Sequence, residues 1–405
     1  MSRTLNSEKP FQISIPSSDL TLLQQKLELV RLAHEVDNAG WDYGVPLSEI
    51  KRLTAYWKDT FLPKWRDHEA KLNEDLGPQF TRDIEVDGGF GKINVHHVHR
   101  KSAVVDAVPL LFVHGWPGSV LEVKKILPLL VEESPDHPSF HVVAVSLPGY
   151  GFSEAPQKKG FEAVQMAEVC NKLMLSLGYT EYVTQGGDMG SLVTRKIAQI
   201  YGPKHSKAWH TNSPMYVFIL TVDMDFNAHY ITLNAVESPH ILSSVPYSCS
   251  PIFYSAILQT LGYSLDDSPV GLLAWIYEKL VNWSDGYSWT DDEVLTWISV
   301  YWFSKSGPAA STRIYYELAQ AYPEGIFSGV QTPIPVGHSY FPKDIFVVPR
   351  RWIKAANPTL AFESDHEGGG HFAAHERPEE LVSDLRRMFG KGGPCYGVVP
   401  GKTGY

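Results

Sequence analysis

The residues with most chemistry to offer are Asp188, Asp344 and His371, met in that order along the chain. Asp188 lies in "VTQGGDMGS" (183–191), where the strand-like "EYVTQ" runs into a glycine-framed turn and then a helical stretch. Gly186 and Gly190 give the small-x-D-x-Gly frame of a nucleophile elbow, a strained turn that lifts one side chain above a sheet. The best-known version carries Ser. A carboxylate in that place would attack a substrate carbon and leave an ester on the protein. The plainer reading is an Asp that caps the helix starting near Met189. His371 sits in "EGGGHFAAHERPEEL", whose glycines leave room for an imidazole to reach over a sheet edge. His366 and His375 compete with it, and His375 is expected on the exposed side of a helix start. Asp344 follows the strand-like "PIPVGHSYF", with Asp365 as the competing acid. In "HGWPGS" (114–119), the backbone N–H of Trp116 can pair with that of Met189 to form an oxyanion hole, against the simpler option of a strand-to-helix turn.

These residues need elements that bring them together. "KINVHHVHR", "VPLLFVHGW" and "FHVVAVSLPGYG" are short apolar, β-branched runs ending in Gly or Pro, as buried strands do. "VLEVKKILPLLVEE", "FEAVQMAEVCNKLMLSLG" and "GSLVTRKIAQIYG" alternate with them and read as helices. The alternation predicts an α/β fold, a mostly parallel sheet with helices on both faces. From about 212 to 329 the chain is helical and aromatic, without a clear buried strand, and reads as a lid over the sheet's C-terminal edge. "PIPVGHSYF" and "PTLAFES" then restore the sheet. The expected division is 1–95 as an N-terminal extension, 96–211 as the first part of the core, 212–329 as a helical lid, and 330–405 as the second part. The Gly-rich end, "GKGGPCYGVVPGKTGY", reads as a loosely held tail. The order Asp188, Asp344, His371 is nucleophile, acid, histidine, the order of the α/β-hydrolase arrangement rather than the chymotrypsin or subtilisin ones.

Composition narrows the field. The 405 residues are 43% hydrophobic and 20% charged, ordinary for a globular chain. A net charge of −10 argues against nucleic acid or an anionic membrane surface as partner. The three cysteines, Cys170, Cys249 and Cys395, have no metal-type spacing and suggest a reducing compartment. No signal peptide and no membrane span are expected, which points to a soluble, cytoplasmic protein. His96, His97 and His99 are close enough for a metal, but no carboxylate or Cys of ligand spacing accompanies them, so polar strand decoration is the better reading.

Taken together, "YWKDTFLPKWRDHEAKLN", "DGGFGKINVHHVHRKS", "FVHGWPGS", "SLPGYGFS", "QGGDMGS", "DSPVGLLAWIYEKL", "YFPKD" and "GGGHFAAHERPEEL" resemble epoxide hydrolases of the microsomal type, especially the soluble fungal members. The likeness covers nearly the whole chain. It implies an α/β-hydrolase fold with a helical lid and an N-terminal extension. It also implies two lid tyrosines that hydrogen-bond the epoxide oxygen. "YSAILQTLGYSLDDSPVG" matches the first with Tyr254, through Ile257 and Thr260, although the segment before "DSP" is shorter than in the family; Tyr247 and Tyr263 could serve in its place. "RIYYE" matches the second with Tyr315, Tyr316 being on the wrong helical face. Trp116, Tyr254 and Tyr315 would then bind the substrate. The family includes dimers, so a homodimer is expected by resemblance.

The chemistry so implied is addition of water to an epoxide to give a vicinal diol. Asp188 forms an alkyl ester, and His371, oriented by Asp344, activates the water that hydrolyses it, with no metal or organic cofactor. Three rival functions fit parts of the same pattern. Haloalkane dehalogenases use the same acid and histidine chemistry but usually place Trp after the nucleophile, where this chain has Met189. A biosynthetic enzyme could open an epoxide within a larger natural product. A non-catalytic binder could keep the hydrolase fold, although such proteins often lose the nucleophile or the histidine.

Overall fold

A computed structural model describes residues 8–214, 258–322, 331–345, 347 and 349–405. One nine-stranded sheet organises them, in the order β1-β2-β3-β5-β4-β6-β7-β8-β9. β1 (Lys9–Phe11), β2 (Gln79–Val86) and β3 (Gly91–Arg100) run antiparallel to one another, and β3 runs antiparallel to β5 (Phe140–Val145). From β5 through β4 (Val108–Val113), β6 (Tyr182–Gly186), β7 (Ser206–Thr211), β8 (Val336–Tyr340) and β9 (Leu360–Asp365) the pairing is parallel. All six residues of β4 are buried, the pattern of a strand covered by helices on both faces.

The expected boundary at residue 95 falls inside β3, and the N-terminal stretch contributes β1 and β2 to the same sheet. β2 has no apolar run to mark it, because its sequence, "QFTRDIEV", alternates as an antiparallel strand does. β7, "SKAWHT", was not expected at all. Its Ser206, His210 and Thr211 are buried, and His210 Nε2 pairs with Ser339 on β8 at 3.0 Å.

Helices cover the sheet. They include α1 (Ser17–Glu28), α2 (Leu47–Tyr56), α3 (Trp65–Leu76), α4 (Val123–Val131), α5 (Ala163–Ser176) and α6 (Met189–Tyr201). The described part of the lid holds α7 (Leu258–Asp267), α8 (Pro269–Asn282), α9 (Asp291–Trp302) and α10 (Arg313–Ala321). Thr290 and Glu293 close a capping box at the start of α9, which satisfies backbone N–H groups otherwise left open. The N-terminal helices dock on the lid of their own chain. Lys26 reaches Asp267 at 2.6 Å, Arg52 pairs with Asp291, and the Tyr56 hydroxyl donates to Asp292 at 2.9 Å. After β8 come α11 (Arg350–Ala356), α12 (Ala373–Glu376) and α13 (Pro378–Phe389).

The C-terminal stretch is a correction to the expected loose tail. Cys395 is 2% exposed and Val399 is also buried. Gly404 accepts the Ser139 N–H at 2.8 Å and donates to the Asp106 carbonyl at 2.7 Å. Many glycines let this segment turn repeatedly, but its few apolar side chains have a core to enter.

Candidate active site

Two loops leave neighbouring strands at one level, because Val113 of β4 stands opposite Gly186 of β6. The first is "HGWPGS". The second is the turn into α6, where Asp188 takes φ 46° and ψ −126°, a conformation unfavourable for an L-residue. α6 packs so tightly behind the turn that a Cβ on Gly190 would lie 1.9 Å from the Val113 carbonyl oxygen. Asp188 precedes the helix, yet its side chain makes no cap hydrogen bond. The carboxylate turns to the other loop instead, where Oδ1 accepts the Trp116 N–H at 2.8 Å. Met189 opens α6, so its N–H is one of those at a helix start with no carbonyl partner inside the helix.

The Asp188 Oδ2 lies 3.5 Å from His371 Nε2, and His371 Nδ1 lies 2.8 Å from Asp344 Oδ1. Asp344 follows β8 and His371 follows β9, and a bond from Lys343 N–H to the Gly369 carbonyl, 3.0 Å, ties the two loops together. Burial works against a charged imidazole. The Asp344 charge and hydrogen bonds to Asp188 and Asp344 overcome it and carry the His371 pKa well above its usual value. The three residues singled out from the sequence thus lie together: carboxylate, imidazole and second carboxylate in a line, with a backbone N–H on the first.

The lid grips this apparatus. Trp297 of α9 donates its indole N–H to the Pro117 carbonyl at 2.6 Å, and the Tyr301 hydroxyl donates to that of Gly118. The His371 N–H bonds the Trp283 carbonyl at 2.8 Å. Trp116 is ringed by Trp275, Trp283 and Tyr315, the last edge-on at 5.8 Å.

Residues 8–123 match the family described as epoxide hydrolase N terminus, and residues 108–231 match the alpha/beta hydrolase fold. Epoxide hydrolase 1 of Sus scrofa is 33% identical over 420 residues, covering 95% of this chain and 89% of the relative. The chain belongs to the epoxide hydrolase family. Among solved structures, the epoxide hydrolase of Aspergillus niger is 34% identical with a TM-score of 0.76, covering 94% of this chain and 95% of that one. The juvenile hormone epoxide hydrolase of the silkworm Bombyx mori is 29% identical with a TM-score of 0.77, covering 94% and 92%. The fold is that of the α/β-hydrolases.

In this epoxide hydrolase the competing residues lie elsewhere. Asp365 pairs with Arg350 and its side chain is 68% exposed. His366 Nε2 meets Asp384 at 2.7 Å and stacks on Phe341. His375, expected to be exposed, is buried; its ring stacks on Trp289 at 4.8 Å, because short α12 turns that face toward the lid. His96, His97 and His99 are buried on β3 and bonded to Ser146, Glu8 and Tyr179 respectively. Of the lid tyrosines, Tyr315 stands beside Trp116, Tyr316 is 43% exposed and Tyr263 is 70% exposed. Tyr254 and Tyr247 lie outside the described residues, as does Cys249.

Sequence reading missed two carboxyl groups. Glu376 accepts the N–H groups of Asp285, Gly370 and Phe372, at 2.8, 3.3 and 2.9 Å, and so fixes the loop that carries His371. Burial raises its pKa, with those backbone bonds acting in the opposite direction. Glu122 lies under the "HGWPGS" loop. The only signal in sequence is an acid within or just after each motif.

Proposed function

We propose that this epoxide hydrolase works through a covalent alkyl ester on Asp188. An epoxide is strained, but its leaving group is a poor alkoxide. Asp188 Oδ2 attacks a ring carbon while a phenol, with a pKa of about 10, hydrogen-bonds the epoxide oxygen and protonates it as charge develops. Tyr315 takes that role, with Tyr254 as the second donor by family resemblance. Acid assistance of this kind contributes roughly 10²–10⁴ in rate.

His371 then takes a proton from water at Nε2, and Asp344 fixes its tautomer and stabilises the imidazolium. The water oxygen adds to the Asp188 carbonyl carbon, and the N–H groups of Trp116 and Met189 hold the developing oxyanion. Collapse breaks the acyl C–O bond, the His371 proton passes to the departing oxygen, the new Asp188 carboxyl group returns its proton to the Tyr315 phenolate, and a vicinal diol leaves. The observation that carries this reading is the Asp188 carboxylate itself, free of helix capping and facing a backbone N–H on one oxygen and an imidazole on the other.

The two-step route has an isotopic signature. The oxygen that enters the diol is Asp188 Oδ2, and water replaces it on the protein. A single turnover of styrene oxide in heavy-oxygen water should label the Asp188 peptide and leave the diol unlabelled. Label in the diol of that first turnover would mean direct attack by water and would sink the ester. His371→Gln should trap the ester as a mass increase equal to the substrate.

A further inference from the structure

We propose that Glu122 is a positioning residue that holds the hydrolytic water on Asp188 together with His371; this rests on the two-step reading above. Glu122 folds back under the loop that precedes it. A Cβ on Gly118 would lie 1.5 Å from Glu122 Oε1, so the missing side chain at 118 is what admits the carboxyl group. Oε1 faces the Gly115 N–H at 3.4 Å. Gly115 in turn abuts Asp188, since a Cβ there would lie 2.5 Å from Asp188 Oδ1. One glycine therefore separates the two carboxyl groups.

Two structural explanations for such an acid do not apply. Glu122 precedes α4 but makes no cap hydrogen bond. It has no ion pair with Lys or Arg among the described residues, and it is only 9% exposed. Burial pushes its pKa up to about 8; His371 and the Gly115 N–H pull it down, and Asp188 adds to the rise. Tyr150 and Tyr301 complete the surroundings, both within the electrostatic reach of Glu122 and Asp188. A buried acid with one long hydrogen bond is costly, and perturbed acids gather at functional sites.

Water attacking the Asp188 ester must be fixed at both hydrogens. One goes to His371 Nε2. The other needs an acceptor, and Glu122 Oε2, without a partner among the described residues, supplies it. Esterification removes the Asp188 charge, one of the influences that raise the Glu122 pKa, and so favours the carboxylate as acceptor before the water attacks. Glu122 exchanges no proton in the step itself. The proton from water rests on His371 and returns to the departing diol oxygen.

Glu122→Gln with styrene oxide tests this, because Gln keeps the shape and can still accept from Gly115. The kcat should fall roughly 10- to 100-fold. KM should fall with it, so that kcat/KM, which reports alkylation, stays within about twofold. Alkyl-enzyme should accumulate at steady state, seen by intact mass. If Glu122 only shapes the loop, kcat/KM falls in step with kcat, since Trp116 serves Asp188 in both steps; that result overturns the proposal, as does a wild-type kcat without adduct. His371→Gln is run in parallel. Adduct there but none in Glu122→Gln overturns the role of Glu122 alone, whereas no adduct in His371→Gln overturns the ester reading as well. Glu122→Asp, read on the same kcat and KM split, decides the matter should Glu122→Gln not fold.

Discussion

Asp188 and His371 show how little of a residue's role is intrinsic. The Asp sits in a backbone conformation that costs about 1–3 kcal/mol and is kept there by packing around the turn. Burial opposes a charged imidazole at His371, and Asp344, 2.8 Å from Nδ1, favours one. The folded pKa of His371 is raised above the unfolded value of about 6.5. A raised pKa stabilises the fold fully below the unfolded value, and that stability is lost as pH rises through the folded pKa. Asp344→Asn removes the largest of the interactions that raise it. The stability gap between wild type and variant, from urea unfolding, should therefore be widest below about pH 6.5 and narrow as pH rises. The same variant should lose roughly 10²–10⁴ in kcat, through hydrolysis of the ester. A gap that widens with pH would contradict the assigned proton.

Elements set the distances. β4 and β6 are neighbours in register, so two loops far apart in sequence leave the sheet side by side. They abut at Gly115, where a Cβ would lie 2.4 Å from Asp188 Cβ. Gly115→Ala must push the loop or the elbow aside. A displacement of that kind is expected to lower kcat/KM for styrene oxide about 100-fold or more, while circular dichroism stays native. Wild-type kcat/KM in this variant would mean that the loop and Asp188 do not act together. α9 matters for the same reason: its Trp297 and Tyr301 bond successive carbonyls of the loop, so lid and core share one set of positions.

Over the whole molecule, charged and polar residues in the interior divide into those that reach the site and those sealed away from it. Ser339, His210 and Asp384 form a serine–histidine–carboxylate cluster that resembles a catalytic one, but all three are fully buried between β7, β8 and α13. No substrate reaches it, and it serves to satisfy polar groups within the core. The C-terminal stretch belongs to the same interior. Deleting residues 394–405 exposes the surface that Cys395 and Val399 cover and breaks the Gly404 bonds to Ser139 and Asp106. Val399 alone accounts for roughly 1.5–3 kcal/mol, so the midpoint of urea unfolding should fall clearly. An unchanged midpoint would show that the segment contributes nothing to stability.

The sequence by itself determined the α/β plan and the strands β4, β5 and β6, and it singled out Asp188, Asp344 and His371, which the fold brings together. Each of these has a local cause: apolar runs make buried parallel strands, and glycines mark turns where a side chain must be lifted or approached closely. β7 stayed hidden because polar Ser206, His210 and Thr211 flank its buried Ala208 and Trp209 and leave no apolar run, and His210 Nε2 finds its partner only on β8. Glu122 and Glu376 stayed hidden because an acid beside a motif looks the same whether it faces water or a backbone N–H. The tail stayed hidden because glycine content says that a chain can turn, not what it turns against. Only the tertiary structure decided these matters, since burial, pKa and hydrogen-bond partners are properties of what surrounds a residue, and those surroundings come from distant parts of the chain.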